Sequence, residues 1–93
     1  MSSTVEIVFQ GFFREVAKER KVVEEVEEGI TVAKLLKSLA TKYGKDFLNI
    51  IDPESQKVST EVLVMLNGRG IQATDIILKD KDVILVGVPI GGG

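Results

Sequence analysis

The chain has 93 residues, 44% hydrophobic and 28% charged, with a formal net charge of −2; it predicts one domain around one modest core, with no strong pull toward nucleic acid or anionic lipid. It has no cysteine and no histidine, which excludes disulfides, thiolate and zinc–thiolate chemistry, and Ser-His-Asp or Cys-His catalysis. A two-carboxylate mechanism is formally open, but the acidic residues lie mainly in surface-type clusters such as Glu24-Glu25 and Glu27-Glu28, and no enzyme is legible in these side chains. The aromatics Phe9, Phe12, Phe13, Tyr43 and Phe47 form no stripe interleaved with basic residues, as a nucleic-acid surface would.

Met1-Ser2-Ser3-Thr4 leads directly into a strand pattern without a signal peptide, and no apolar run approaches a membrane span, so the expected compartment is the cytoplasm. Val5, Ile7 and Phe9 alternate on one face of a first strand. Gly11 interrupts it, and Phe12 to Ala17 reads as a bend or turn before the solvated charge run Lys18-Glu19-Arg20-Lys21. Val22 to Val26 is the returning strand; Glu24 shares a face with Val22 and Val26, which predicts a bulge or an edge position.

Thr31 is the expected N-cap of the main helix, with Ile30 and Leu35 as a hydrophobic staple. Val32, Leu35, Leu36, Leu39 and Tyr43 follow the helical spacing of about 3.6 residues, and Gly44 is read as a left-handed C-cap. Asp46 to Ile51 predicts a short second helix that stops before Pro53, and Asp52 to Lys57 an exposed loop. Glu61 to Leu66 is a nearly unbroken apolar run, read as a central strand. Asn67-Gly68 is a hairpin turn, with Arg69 a solvated turn residue. Residues 71–77 give no regular pattern, Leu78 to Asp82 is a polar turn, and Val83 to Val88 is the last strand.

That strand runs into Pro89-Ile90-Gly91-Gly92-Gly93. Glycine has no Cβ, so such a tail is thin enough to enter a narrow channel in another protein; read alone, it is also an ordinary loose end. The division expected is a folded domain over 1–88 and a flexible tail over 89–93. Two hairpins flanking one long helix make an α+β layer, a mixed sheet with the helix across one face, and a crossover through the helix lets a later strand lie parallel to an earlier one.

This order resembles the β-grasp sulfur carriers of the MoaD/ThiS family, relatives of ubiquitin, and in length the MoaD branch. The resemblance covers essentially the whole chain. It is carried by Val8-Phe9 through Phe13-Arg14-Glu15, Thr31 to Leu36, Val64 to Arg69, Leu78 to Val83, and Pro89 to Gly93. It implies a ubiquitin-like fold with a mixed four- to five-stranded sheet. It further implies that Gly93 is the reacting residue, its carboxylate adenylated with ATP by an E1-like (MoeB/ThiF-type) enzyme and converted to a thiocarboxylate. The carrier would bind no cofactor of its own, and Pro89, Ile90, Gly91 and Gly92 would form the partner-binding tail. In the MoaD branch the sulfur passes to a pterin precursor on the large (MoaE-type) subunit of molybdopterin synthase. No direct nucleic-acid partner and no membrane is implied.

The resemblance departs at Gly87-Val88-Pro89, where the MoaD branch commonly has an aromatic and two prolines. Two alternatives therefore stand beside the molybdopterin role. One is a carrier for tRNA thiolation or a modifier attached to the lysines of other proteins; the other is a β-grasp binding module whose glycines are incidental.

Overall fold

The computed structural model describes residues 2–89; the expectations for Ile90, Gly91, Gly92 and Gly93 lie outside the described residues. Strand β1 (Ser2–Phe9) leads into helix α1 (Phe12–Ala17), strand β2 (Lys21–Glu27), helix α2 (Val32–Tyr43) and a 3₁₀ segment (Lys45–Ile50). Strands β3 (Leu63–Leu66), β4 (Arg69–Gly70) and β5 (Val83–Gly87) complete one mixed sheet, in the order β2-β1-β5-β3-β4. β1 and β5 are parallel, with Ile7 opposite Ile84, and the other pairings are antiparallel. This is the β-grasp arrangement.

The inner sheet face presents Val5, Ile7, Phe9, Val64, Ile84 and Val86, all buried. Against it lie Val32, Leu35, Leu36 and Leu39 of α2, Phe47 and Ile50 of the 3₁₀ segment, and Phe13 and Ala17 of α1. Phe9 meets Tyr43 and Phe47 edge-on, with centroids 5.4 and 5.7 Å apart. Such edge-to-face pairs add about 0.5–1.5 kcal/mol each beyond area burial.

α2 begins as its sequence predicts, with the Lys34 N–H donating to Thr31 Oγ1 at 3.2 Å. Two further first-turn donors find distant partners: the Val32 N–H donates to the Ile76 carbonyl at 2.9 Å and the Ala33 N–H to the Thr74 carbonyl at 2.8 Å. Residues 71–77 look irregular in sequence because their backbone closes the start of a helix, an arrangement without a sequence period. Thr74 is itself buried and donates its hydroxyl to the Gln56 carbonyl at 2.6 Å.

Two expectations are corrected and two are narrowed. Phe12–Ala17 is a helix, ended by Lys18 in the left-handed conformation (φ 61°, ψ 26°). Of the two alternatives for β2 the edge position holds: it is an edge strand with unbroken register from Ser2–Glu27 to Val8–Lys21, without a bulge. Gly44 has positive φ but extended ψ (111°, 178°), because the chain turns directly into the 3₁₀ segment rather than closing a left-handed cap. Finally, β3 is interior, but the middle of the sheet is β5.

Candidate functional site

The tail leaves from β5, the strand with a neighbour on both sides at the centre of the sheet. Its last pairs are Val86 with Phe9 and Val64, and Gly87 with Leu63. The Gln10 N–H donates to the Val86 carbonyl at 2.9 Å, which carries the β1 side of the ladder one step further. Val88 is then 41% exposed, and Pro89, also exposed, has no N–H with which to continue the pairing. Of the predicted tail, Pro89 is thus seen at the mouth of a rigid strand; Ile90, Gly91, Gly92 and the reacting Gly93 lie outside the described residues.

The base of the tail is shaped by two glycines. Gly87 is buried, and a Cβ placed on it would lie 3.3 Å from Gln10 Cβ and 3.6 Å from Gln10 Oε1. The Gln10 side chain already fills the space that a side chain at 87 would need. Gly11 has φ 57° and ψ −128°, and a Cβ on it would meet Val88 Cγ2 at 3.6 Å. Beside Gly11 opens a groove of about 860 Å³, rimmed by Arg14, Lys18 and Arg20 together with Glu15 and Glu19. Phe12, on its wall, is 47% exposed.

Sequence reasoning missed the outer face of the sheet. Val8 of β1, Leu85 of β5 and Met65 of β3 form one cross-strand row, since Leu85 is opposite both Val8 and Met65. Leu63 lies opposite Gly87 in the next row toward the tail. These four side chains are only partly buried, whereas both helices and the 3₁₀ segment bury their apolar residues on the inner face. The signal was available in the unbroken runs Val62-Leu63-Val64-Met65-Leu66 and Val83-Ile84-Leu85-Val86. An interior strand with apolar residues on both faces expects a cover on both, and the described residues cover one.

Among the described residues no cluster of carboxylates could hold a metal ion, and no helix is long and apolar enough to cross a membrane. The hydrogen bond from Lys42 Nζ to Glu24 Oε1, 2.6 Å long, raises the ionisation of Lys42 above its ordinary 10.5 despite an opposing contribution from desolvation. The pair lies away from the tail, between α2 and β2. The described part of the site offers positioning, an apolar surface and, beside Gly11, a rim of mixed charge.

Comparison with solved structures places this geometry. The protein HVO 2177 of Haloferax volcanii is 30% identical, with a TM-score of 0.82 over 99% of this chain and 88% of that one. A putative molybdopterin converting factor subunit 1 from Pyrococcus furiosus is 26% identical, with a TM-score of 0.78 over 96% of this chain and all (100%) of that one. SAMP1 of Haloferax volcanii, a small archaeal modifier protein, shares the fold at 22% identity and a TM-score of 0.76, over 98% of this chain and 100% of its own. No curated protein matches the chain by sequence. The ThiS family model matches residues 7–93, from the first core strand through the terminal glycines. A β-grasp sheet whose middle strand delivers a Gly-Gly-Gly end, matched over that span, makes this chain a member of the ThiS family of ubiquitin-like sulfur carriers.

Proposed function

We propose that the chain is a sulfur carrier that works through the carboxylate of Gly93. The observation that carries this reading is the exit of the tail from the rigid middle strand, beside an apolar sheet face that the fold leaves uncovered. An activating enzyme can dock on Val8, Leu63, Met65 and Leu85 while the glycines enter its active site. The chemistry needs no side chain from the carrier: ATP supplies AMP as the leaving group on the Gly93 carboxyl carbon, pyrophosphate departs, and a sulfur nucleophile displaces the AMP to leave a thiocarboxylate. This accounts for a reactive protein without cysteine or histidine.

The acceptor proposed is a pterin precursor held by a MoaE-type large subunit, with the present chain as the small subunit of molybdopterin synthase. A second reading, transfer to tRNA or attachment to protein lysines, is favoured by one observation. Gly87 presents no side chain beside the tail, and Gln10 fills its place with a polar amide, so the partner meets less apolar surface there. Intact-protein mass after incubation with ATP, a sulfur donor and an E1-like (MoeB/ThiF-type) enzyme tests the carrier step. Replacement of one oxygen by one sulfur, absent from a Gly93-deleted control, is expected. An unchanged mass with an enzyme active on its own carrier would refute it. Single-turnover transfer from the thiocarboxylate to a pterin-loaded large subunit, against transfer to tRNA or lysine, then separates the two readings.

A further inference from the structure

A second surface lies at the opposite end of the sheet from β4, along the open edge of β2. The Phe9 N–H donates to the Arg20 carbonyl at 2.9 Å, and the register continues with Val8 opposite Lys21. Antiparallel pairs alternate between bonded and non-bonded, so Val22, Glu24 and Val26 turn their backbone groups toward β1. Lys21, Val23, Glu25 and Glu27 turn theirs outward. The Glu27 carbonyl is taken by the Ile30 N–H at 3.1 Å; the outward N–H and C=O groups of Val23 and Glu25 face solvent, and Val23 is 62% exposed.

Beside this edge, between β2 and α2, is a cleft of about 250 Å³. Its walls are Val26 from the strand and Leu35, Ser38 and Leu39 from the helix, and the Glu24–Lys42 ion pair at 2.6 Å spans it. The edge is also acidic: Glu24, Glu25, Glu27 and Glu28 face only Lys21 within residues 21–28. An open ladder edge, an adjacent cleft and a matching charge occur together here.

We propose that the β2 edge is a strand-addition site for an extended cationic segment of a partner protein. An added strand completes the ladder through Val23 and Glu25. Side chains directly opposite one another share a face. The incoming residue opposite Glu24 therefore points into the cleft, over Leu35 and Leu39, and an aliphatic residue fits there. Residues opposite Val23, Glu25 and Glu27 lie on the other face, where lysine or arginine pairs with the carboxylates and a lysine stem lies over Val23. A second copy of this chain is the competing occupant: self-pairing centred on Glu24 or Glu25 sets glutamate against glutamate, which destabilises a ladder, and only the register centred on Val23, with Lys21 opposite Glu25, avoids it, so self-association is measured in the test. The tail leaves from β5, two strands away, about 10 Å at the usual strand spacing, so the edge can be occupied while a different protein holds the tail. The proposal stands independently of the sulfur-carrier reading.

The test is titration of the ¹⁵N-labelled full chain with a capped peptide alternating valine and lysine, read by amide shifts and hydrogen exchange. Two control peptides replace lysine with glutamate or carry a proline at the central position. Expected are saturable shifts confined to β2 and the facing side of α2, with new exchange protection at the Val23 and Glu25 amides. Reversing both outer carboxylates (Glu25→Lys with Glu27→Lys) should weaken binding about tenfold or more, since two favourable cross-strand pairs become unfavourable. Both control peptides should fail to bind. Shifts centred on Leu85 and Met65, equal binding of the proline peptide, or shifts without protection at Val23 and Glu25 would each overturn the proposal. So would concentration-dependent self-association through β2 without peptide.

Discussion

Gly11 shows how one backbone conformation organises the neighbourhood of the tail. At φ 57° and ψ −128° it occupies a region open to glycine and strained for any residue with a Cβ. It is there that β1 ends and α1 begins, and a Cβ there would meet Val88 Cγ2 only at ordinary contact distance, 3.6 Å, so the cost of a side chain is one of backbone strain. Gly11→Ala is expected to cost about 1–3 kcal/mol, the usual price of such strain, and a chemical-denaturation midpoint equal to that of the parent would refute this account. Asn67 is the polar counterpart at the other end of β5. Its φ of 51° with Gly68 at 85° makes the β3–β4 turn, while its Oδ1 accepts from the Val83 N–H at 2.8 Å and its Nδ2 donates to Asp82 Oδ1 at 2.9 Å. At the tail itself, Gly92→Phe should leave the melting temperature unchanged and abolish adenylation, because a ring cannot follow a channel sized for glycine. Full adenylation of that variant by the cognate enzyme would contradict the threading reading.

At the scale of elements, α2 carries the best match between pattern and packing. Val32, Leu35, Leu36 and Leu39 are buried where the spacing places them, and Thr31 caps the first turn. Leu36→Ala is expected to destabilise the protein by about 2–5 kcal/mol, from lost transfer energy plus a residual cavity; thermal or denaturant unfolding measures it directly. The loop 71–77 illustrates the opposite case. Its carbonyls complete the N-terminus of α2 and its Ile71 and Ile76 pack against the core, yet no strand or helix period marks it, because its bonds go to an element some forty residues earlier in the chain (Thr74 to Ala33). Short helix α1 was hidden for a different reason. Six residues give too few turns for a periodicity: Phe13 and Ala17 are buried and Val16 packs against the core from the side.

For the whole molecule, the sheet divides two surfaces. The inner face is covered by helices, and the outer face keeps Val8, Leu63, Met65 and Leu85 partly exposed next to the tail. Met65→Lys, on the outer face, should preserve the fold and impair complex formation with the activating enzyme, raising KM with little change in the unfolding transition. An unchanged KM would remove this face from the docking surface. Stability should vary little between about pH 6 and 8, because histidine, the side chain whose ordinary ionisation falls in that range, is absent. The raised ionisation of Lys42 has its effect at the alkaline end. Its pairing with Glu24 favours the folded state fully below 10.5, the unperturbed value, and that contribution is lost as pH rises through the higher folded-state value. Melting curves across both ranges check this; a marked loss of stability between about pH 6 and 8 would point to a different titrating group.

The order of the principal elements, the inner face of β1, the stripe and N-cap of α2, the Asn67-Gly68 hairpin and the glycine tail were all legible in the sequence. Each is local, held by a repeat of a few residues or by one turn. Tertiary structure decided what depends on pairing between distant segments: that β5 rather than β3 is the middle strand, that Gln10 fills the space beside Gly87, that residues 71–77 close a helix, and that β2 leaves an open acidic edge beside a cleft. It also changed the meaning of the apolar runs in β3 and β5. In sequence they signal burial. Among the described residues only one of their faces is buried, because a single layer of helices can cover only one side of a sheet.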